Sequence, residues 1–287
     1  MSKRKQNSND ASDDESSNIS MINVDFDFFD PDPEVDYQAI KRLLGQLFQR
    51  DADMFHLHEL TELILSQPSV GTTIKTDGKE SDPYALLTVV NMHVHKDHPS
   101  VKALGSYILE KSSPNTTLHN HLQGLFSQTE NHVGLVICER LINMPVETVP
   151  PMYRMLTEEL KTVISQNAPF RFMDLIFISR TYHLTEEEES FLINNATAKS
   201  SSKKRSKKAQ EPPEEERPAD GLYDFHPEDI HIKALSSHFI DYKFTTAPAE
   251  PRDKESFGLD TRGRLMLVPS TQFEGLVNRI SEAYAVG

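Results

Sequence analysis

The sequence of 287 residues has a single cysteine and no long apolar run, and both shortages narrow the class of protein. A lone cysteine, Cys138, excludes an intramolecular disulfide framework and is typical of a reducing compartment. No apolar segment approaches the roughly 20 residues that a membrane helix needs. The N-terminal residues are charged and rich in serine, where a signal peptide would be apolar. The composition therefore predicts a soluble intracellular protein.

Basic residues are also in deficit. Lysine and arginine number 30 against 44 aspartates and glutamates, so the formal net charge is −14. Such a charge disfavours general affinity for nucleic acid or anionic membrane, and it steers basic partners towards the protein. We therefore expect no direct nucleic-acid binding and a basic protein as the partner.

The clearest local pattern runs from Tyr84 to Lys111. The segment Ala85–Met92 is mostly apolar and predicts a strand buried on both faces of a sheet. Polar residues follow, and Pro99 suits the first turn of a helix because it has no N–H to donate. Apolar residues then recur at helical spacing, which predicts a strand, turn and helix that form a crossover unit.

The remaining elements follow the same two periodicities. A strand is predicted at 22–29, and Asp36 is predicted to cap a helix that begins at Tyr37. Thr271 and Glu274 form a capping-box pair at the last helix. Further helices are predicted at 55–65, 116–126, 150–164 and 227–235, and further strands at 70–75, 133–138, 170–178, 239–244 and 264–268. A turn at Asp77-Gly78 predicts a hairpin between the strands at 70–75 and 85–92.

The alternation of strands and helices predicts an α/β or α+β fold, in which a mixed β-sheet is flanked by helices. Two segments have too few apolar residues to fold. They are the tail at 1–20 and an insertion at about 196–220, and both are predicted to be disordered. Because apolar patterns continue on both sides of the insertion, residues 21–287 are interpreted as a single interrupted domain.

No motif in the sequence predicts catalysis. His93 and His95 would face the same side of a strand and could be zinc ligands, but a structural zinc site usually needs four ligands. A solvated strand end is therefore the favoured interpretation, and no metal is expected. Cys138 lies in an apolar strand, where a small core residue is more common than a nucleophile. The phosphate-binding, nucleophile-elbow and zinc-helix motifs do not occur in the sequence.

A basic cluster inside the insertion is the strongest local signal. It fits a nuclear import signal, because an extended basic segment can dock into an acidic groove. A solvated linker and a nucleic-acid tether are the alternatives. The neighbouring acidic run at 211–216 could mask the cluster or bind a basic partner, or it could be an inert spacer. The cluster consists of Lys203, Lys204, Arg205, Lys207 and Lys208.

Three stretches together resemble the BCCIP family, in its fungal branch. They are Val24-Asp-Phe-Asp-Phe-Phe-Asp-Pro31, Leu87-Thr-Val-Val-Asn-Met-His-Val-His95 and Tyr223-Asp-Phe-His-Pro-Glu-Asp229. The resemblance extends from about residue 22 to the end of the chain. It implies a fold similar to that of the GCN5-related N-acetyltransferases, without the cofactor site and without the enzyme activity.

The resemblance also implies a nuclear protein that shuttles to the cytoplasm and escorts clients. The implied partners are a basic large-subunit ribosomal protein during ribosome biogenesis, nuclear transport receptors, and a phosphatidylinositol phosphate kinase whose nuclear export the protein supports. The alternative is a diverged acetyl-CoA-dependent N-acetyltransferase.

The sequence does not contain the cofactor-binding turn that the acetyltransferase alternative needs. Enzymes of that fold use an [RQ]-x-x-G-x-[GA] turn, whose small residues let backbone N–H groups approach a pyrophosphate. The nearest match is Lys102-Ala-Leu-Gly105-Ser-Tyr107, in which Tyr107 replaces the small residue and Lys102 replaces arginine or glutamine. No cofactor is therefore expected.

Overall fold

The computed structural model describes residues 25–67, 69–190, 217–246 and 259–284. Its strands are β1 (Asp27–Phe29), β2 (Thr72–Lys75), β3 (Ala85–Asn91), β4 (His132–Arg140), β5 (Phe172–His183), β6 (Leu222–Asp224), β7 (His238–Tyr242) and β8 (Asp260–Pro269). Its helices are α1 (Tyr37–Phe48), α2 (Leu57–Leu65), α3 (Pro99–Ser112), α4 (Thr116–Ser127), α5 (Val149–Ser165), α6 (Asp229–Leu235) and α7 (Phe273–Tyr284). Residues 186–190 are also helical.

The eight strands form one mixed sheet in the order β1-β2-β3-β4-β5-β8-β7, and β6 pairs with β5 beside this path. The pair β4–β5 is parallel, and the other pairs are antiparallel. Strands that precede residues 191–216 therefore pair directly with strands that follow them. The predicted mixed sheet flanked by helices is confirmed, and so is the hairpin between β2 and β3.

Helices cover both faces of the sheet, which gives the core two halves. The first face is covered by α1 to α4, and strand residues such as Leu135 and Ile137 point into that half. The second face is covered by α5, α6 and α7, and Val136 and Phe177 point into it. This alternation along β4 is the two-residue period of a strand buried on both sides.

The predicted crossover unit between β3 and its next strand is wrong. Strands β3 and β4 are antiparallel, with Val89 opposite Val136. Two helices, α3 and α4, connect them, and each helix reverses the direction of the chain once. The chain therefore re-enters the sheet antiparallel to the strand that it left. A single helix, α5, makes the true crossover between the parallel strands β4 and β5.

Asp36 occupies the predicted N-cap position of α1 but does not cap the helix with its side chain, and the predicted cap at Thr271 is wrong. Asp36 precedes α1 but its side chain makes no cap hydrogen bond to the helix, because Lys75 Nζ binds its carboxylate at 2.6 Å in the interior. Thr271 lies within a short 3-10 turn, and α7 begins after it at Phe273. The Asp36 side chain is used in an ion pair with Lys75 and does not bond to the helix. A 3-10 turn at Ser270–Gln272 takes the place of the predicted cap at Thr271.

Several boundaries differ from the predictions. Within the described residues the first strand is confined to Asp27–Phe29, and a 3-10 helix at Gln49–Phe55 precedes α2. The tail at 1–20 and most of the predicted insertion lie outside the described residues. Described structure resumes at Arg217, earlier than the predicted boundary at Asp220. None of the described helices is long and apolar enough to cross a membrane.

Candidate functional site

The parallel strands β4 and β5 separate towards their carboxyl ends. Their pairing stops at Val136 and Phe177, although β4 continues to Arg140 and β5 to His183. Strand β6 takes the place of β4 along the last residues of β5. An opening therefore lies between the two strands. In open α/β sheets, ligands bind at the carboxyl ends of strands, so this opening is the first place to look for a site.

Buried charges fill the opening on the first face of the sheet. The carboxylate of Glu139 accepts hydrogen bonds from Arg180 Nε at 3.0 Å and Nη2 at 2.9 Å. Gln46 Nε2 of α1 donates to the same carboxylate at 2.8 Å, and His226 Nε2 lies 3.2 Å from it. Both oxygens of this carboxylate are engaged, so the buried charge is compensated.

A second buried pair fills the opening on the other face. Arg140 donates two hydrogen bonds to the carboxylate of Glu228, one of them 2.9 Å long. The side chains of Arg140 and Glu228 are only 6% and 2% exposed. Beside them, the Ser179 hydroxyl donates to a carboxyl oxygen of Asp229. Residues three apart in one short segment, His226 and Asp229, thus contact opposite faces of the sheet.

The segment from Phe225 to Asp229 passes through the opening from one face to the other. The Phe225 amide donates to the carbonyl of Arg180 at 3.2 Å, and the guanidinium of Arg180 lies 4.5 Å from the centre of the Phe225 ring. Its residues leave a cavity of about 10 Å³ beside Cys138. That volume is near the minimum for one water molecule. The protein's own chain occupies the place that a substrate would take.

Burial and pairing shift the pKa values of these groups in opposite directions. Burial opposes ionisation of Glu139, but contacts with His226 and Arg180 outweigh it and lower the pKa of Glu139 to about 2. Burial alone would lower the pKa of His226, yet its hydrogen bond to Glu139 raises it. Burial raises the pKa of Asp229 well above its usual range. Paired groups are stabilised as ions, whereas Asp229 is stabilised with its proton.

Cys138 lies at this opening but is not activated. Burial and the carboxylate of Glu228 raise the pKa of its thiol. Tyr153 lies against the thiol, and burial raises the pKa of that phenol too. The Tyr153 hydroxyl has no hydrogen-bond partner within the described part of the chain. A nucleophilic cysteine needs an electropositive setting that favours the thiolate, and this setting favours the neutral thiol.

The helix that follows β4 is poorly suited to binding a pyrophosphate. Anions bind at helix N-termini through free backbone N–H groups. Helix α5 begins at Val149 and continues with Pro150 and Pro151, which have no N–H to offer. The sequence Lys102–Tyr107, proposed above as the nearest cofactor motif, lies inside α3, and α3 connects antiparallel strands. The nearest cofactor motif therefore does not lie in the connection between the parallel strands β4 and β5, which is made by α5.

The histidines near the end of β3 have structural contacts. Strand β3 ends at Asn91, so His93 and His95 lie in the following turn and not on a strand as predicted. The Nδ1 atom of His93 accepts from the Val133 amide at 3.1 Å, and its Nε2 atom lies 3.0 Å from the Leu125 carbonyl. Within the described ranges, no three His, Cys, Asp or Glu side chains come together as a metal site.

The predicted import signal is not placed by the structure. All five of its residues, Lys203, Lys204, Arg205, Lys207 and Lys208, lie outside the described residues. The ends of the segment that contains them are close together. Arg217 binds Glu186 at 3.0 Å and Glu189 at 3.1 Å, which joins the return of the chain to the helix at 186–190.

Sequence reasoning missed the buried charges. Glu139-Arg140 and Ser179-Arg180 each follow an apolar run that predicts a strand, and the sequence pattern assigned no role to them. A usable signal was present, because two apolar strands run directly into charged residues and a separate segment carries the complementary His226 and Glu228. That segment was noted for its resemblance to a family and not for its charge.

The fold and this site define a mixed α/β protein in which the chain itself closes the carboxyl ends of the parallel strand pair. The model of the BCCIP family matches residues 21–232. That range is well over half of the sequence, and the chain belongs to the BCCIP family. The resemblance inferred from the three sequence stretches is thereby confirmed.

Fungal proteins are among the similar chains. Protein bcp1 of Schizosaccharomyces pombe is 38% identical over 269 residues, which cover 92% of this chain and 91% of that protein. Protein bcp1 of Emericella nidulans is 41% identical over 270 residues, which cover 92% and 88%. The crystal structure of BCP1 from Saccharomyces cerevisiae has a TM-score of 0.61 at 25% identity, and the match covers 94% of this chain and 93% of that one.

Proposed function

We propose that the protein is a non-enzymatic nuclear escort. In this proposal it binds a basic large-subunit ribosomal protein, protects it until ribosome assembly and shuttles between nucleus and cytoplasm. It also supports the nuclear export of other clients, including a phosphatidylinositol phosphate kinase. The membership in the BCCIP family and the chemistry of the sheet opening support this proposal.

The filled opening is the observation that carries the non-enzymatic part. A substrate or cofactor at the carboxyl ends of β4 and β5 would have to displace the Arg140–Glu228 pair, whose two side chains are buried. Removing one partner of such a pair leaves an uncompensated buried charge, which costs about 3–5 kcal/mol. Ligand binding there would therefore begin with a large energetic penalty.

Charge supports the nature of the client. A formal net charge of −14 attracts cations over the range of the Debye length, about 8 Å at physiological ionic strength. A basic ribosomal protein without its RNA needs such neutralisation. Binding of this kind weakens as salt is added, because exposed charge pairs are screened.

Isolation from cell extract tests the escort function. The tagged protein is recovered at moderate salt and again at high salt, and its partners are identified by mass spectrometry. We expect a stoichiometric basic large-subunit ribosomal protein that high salt releases. Recovery of no basic partner, or of one that salt does not release, would contradict the proposed mechanism. Coenzyme A bound to the pure protein would instead support an acetyltransferase.

Replacement of the basic cluster tests nuclear entry through transport receptors. Changing Lys203, Lys204, Arg205, Lys207 and Lys208 to alanine should move the fluorescently tagged protein from nucleus to cytoplasm. A matched variant changes Glu214, Glu215 and Glu216 to alanine in the same segment and should remain nuclear. An unchanged nuclear signal for the lysine and arginine variant would contradict the import assignment.

A further inference from the structure

An open groove lies at the other end of β5, far along the strand from the filled opening. It encloses about 380 Å³ between α5, the start of β5 and the start of α7. That volume is within the range of known ligand pockets, about 300–1,000 Å³. Its apolar lining consists of Leu160, Ile164, Phe170, Phe172, Leu175 and Phe273.

The loop that forms one wall is held by backbone geometry. Asn167 has φ of 61°, a left-handed conformation that ends α5. The Ala168 amide then donates to the Val163 carbonyl at 3.0 Å, five residues back, as in a Schellman motif. This turn reverses the chain and brings Phe170 to within 6.0 Å of Phe172, ring centre to ring centre. The groove is therefore preformed.

A β-bulge aims a second wall residue into the groove. The register of β4 and β5 shifts here, since His132 pairs with Phe172 and the next residue of β4, Val133, pairs with Asp174. Phe172 and Leu175 are three residues apart and would face opposite sides of a regular strand. The bulge puts both on the second face, against the same half of the core. Bulges commonly re-aim side chains beside functional sites.

The charge at the rim is positive, in contrast to the whole protein. Lys161 and Glu274 bridge the groove at 3.4 Å, and their side chains are 67% and 75% exposed. Such an exposed pair is weak and can open. Arg171 also lines the groove, is exposed, and forms no ion pair with any residue of the described ranges. Its guanidinium is available for two parallel hydrogen bonds to a carboxylate.

We propose that this groove binds a peptide segment of a partner protein in which a large apolar side chain stands beside an aspartate or glutamate. The apolar side chain would fill the space between Ile164, Phe170 and Phe172, and the neighbouring carboxylate would pair with Arg171. The surface is therefore separate from the basic-client function, because it selects the opposite charge.

Selection from a library tests this assignment without a known partner. A phage library of random short peptides is selected on the immobilised full-length protein. We expect enriched clones with phenylalanine, leucine or tryptophan next to aspartate or glutamate. Synthetic copies of these peptides should bind the Arg171→Glu variant at least about tenfold more weakly than the wild type. The reason is that a charge-assisted hydrogen bond is lost and a repulsion is added.

The matched control is Arg154→Glu. Arg154 is an exposed residue of α5 that does not line the groove, so the same charge reversal should leave the affinity unchanged. Enrichment of lysine-rich or arginine-rich clones, affinity equal in the two variants, or no enrichment at all would overturn the proposal. Enrichment that occurs only after deletion of residues 1–24 would assign the groove to the chain's own N-terminal segment and would also overturn it.

Discussion

The two ends of β5 differ in whether the space beside the strand is filled or open. At its carboxyl end, β5 separates from β4, and four buried charges with their hydrogen bonds close the opening. At its amino end, β5 stays paired, and a bulge beside an apolar groove leaves space open to solvent. The usual position for a ligand in an open α/β sheet is thus filled, and the less usual end is available.

The largest expected effect is the loss of one charge at the closed end. Glu228→Ala leaves Arg140 buried without its partner and should lower the free energy of unfolding by about 3–5 kcal/mol. Asp82→Ala breaks an exposed pair with Arg42 and should cost about 0.5 kcal/mol or less. Urea denaturation of the two variants measures both values. Equal losses would show that the closed end is not energetically special.

A double variant sharpens this test. Arg140→Met combined with Glu228→Leu removes both charges and keeps apolar volume in their place. Replacing a whole buried ion pair by apolar residues is often neutral or stabilising. The double variant should therefore be clearly more stable than Glu228→Ala alone in the same urea titration. A double variant as unstable as the single one would mean that lost hydrogen bonds, and not the uncompensated charge, dominate.

Two phenylalanines of β5 compare the closed and open ends directly. Phe177 is 3% exposed in the core, and Phe177→Ala should cost about 3–5 kcal/mol through lost burial and the cavity that remains. Phe172 is half-buried at the groove, and Phe172→Ala should cost less than about 2 kcal/mol. Thermal or urea unfolding measures the difference. Equal costs would mean that Phe172 serves the core and not the groove.

Slow alkylation of Cys138 is the next expected effect. Burial and the Glu228 carboxylate raise the pKa of the thiol, so little thiolate exists near neutral pH. Iodoacetamide should modify the folded protein at pH 8 at least about tenfold more slowly than the protein unfolded in urea. Mass spectrometry of timed samples gives both rates. Rapid modification of the folded protein would show that the opening admits a reagent and is not closed.

The smallest effect is a dependence of stability on pH through His226. Its pKa is raised by Glu139, whose own pKa of about 2 keeps it ionised at neutral pH. The resulting stability is fully present below the unfolded pKa of about 6.5 and is lost as pH rises through the folded value. His226→Gln should therefore cost more at pH 5.5 than at pH 8.5 by urea denaturation. Because His226 also lowers the pKa of its neighbour Asp229, the comparison is made in an Asp229→Asn background, which removes that second titrating group.

The control for this pH effect has the opposite sign. Burial and Arg262 lower the pKa of His183, so its protonation opposes folding as pH falls. His183→Gln should therefore lower the free energy of unfolding less at pH 5.5 than at pH 8.5, in the same urea denaturation experiment. If both histidine variants showed the same trend, the contact between His226 and Glu139 could not be the source of the first effect.

Most elements of the fold were predictable because they are local. The apolar stripe of α1 and the apolar run of β3 each contain their own periodicity, and both elements lie where the sequence predicts them. The direction of β4 was not predictable from Tyr84–Lys111, since it depends on α4, which lies beyond that stretch. Asp36 shows the same limit, because its partner Lys75 is 39 residues away.

The candidate sites were less predictable than the fold. Glu139 and Arg180 are 41 residues apart, and Arg140 and Glu228 are 88 apart. Charged side chains at strand ends usually face solvent, so the local pattern favours the wrong interpretation. The groove also depends on long-range placement, because residues of α5, β5 and α7 must come together to form it. The sequence around Arg171 indicates an exposed residue but not the groove beside it.

The sequence alone determined the acidic character of the protein, the succession of strands and helices, and the residues by which it resembles the BCCIP family. These properties follow from composition and from periods of two or 3.6 residues. Only the tertiary structure decided which charges are buried, which end of the parallel strand pair is closed and which end holds a groove. The physical reason is that a charge becomes costly or available only through its surroundings, and those surroundings come from distant segments of the chain.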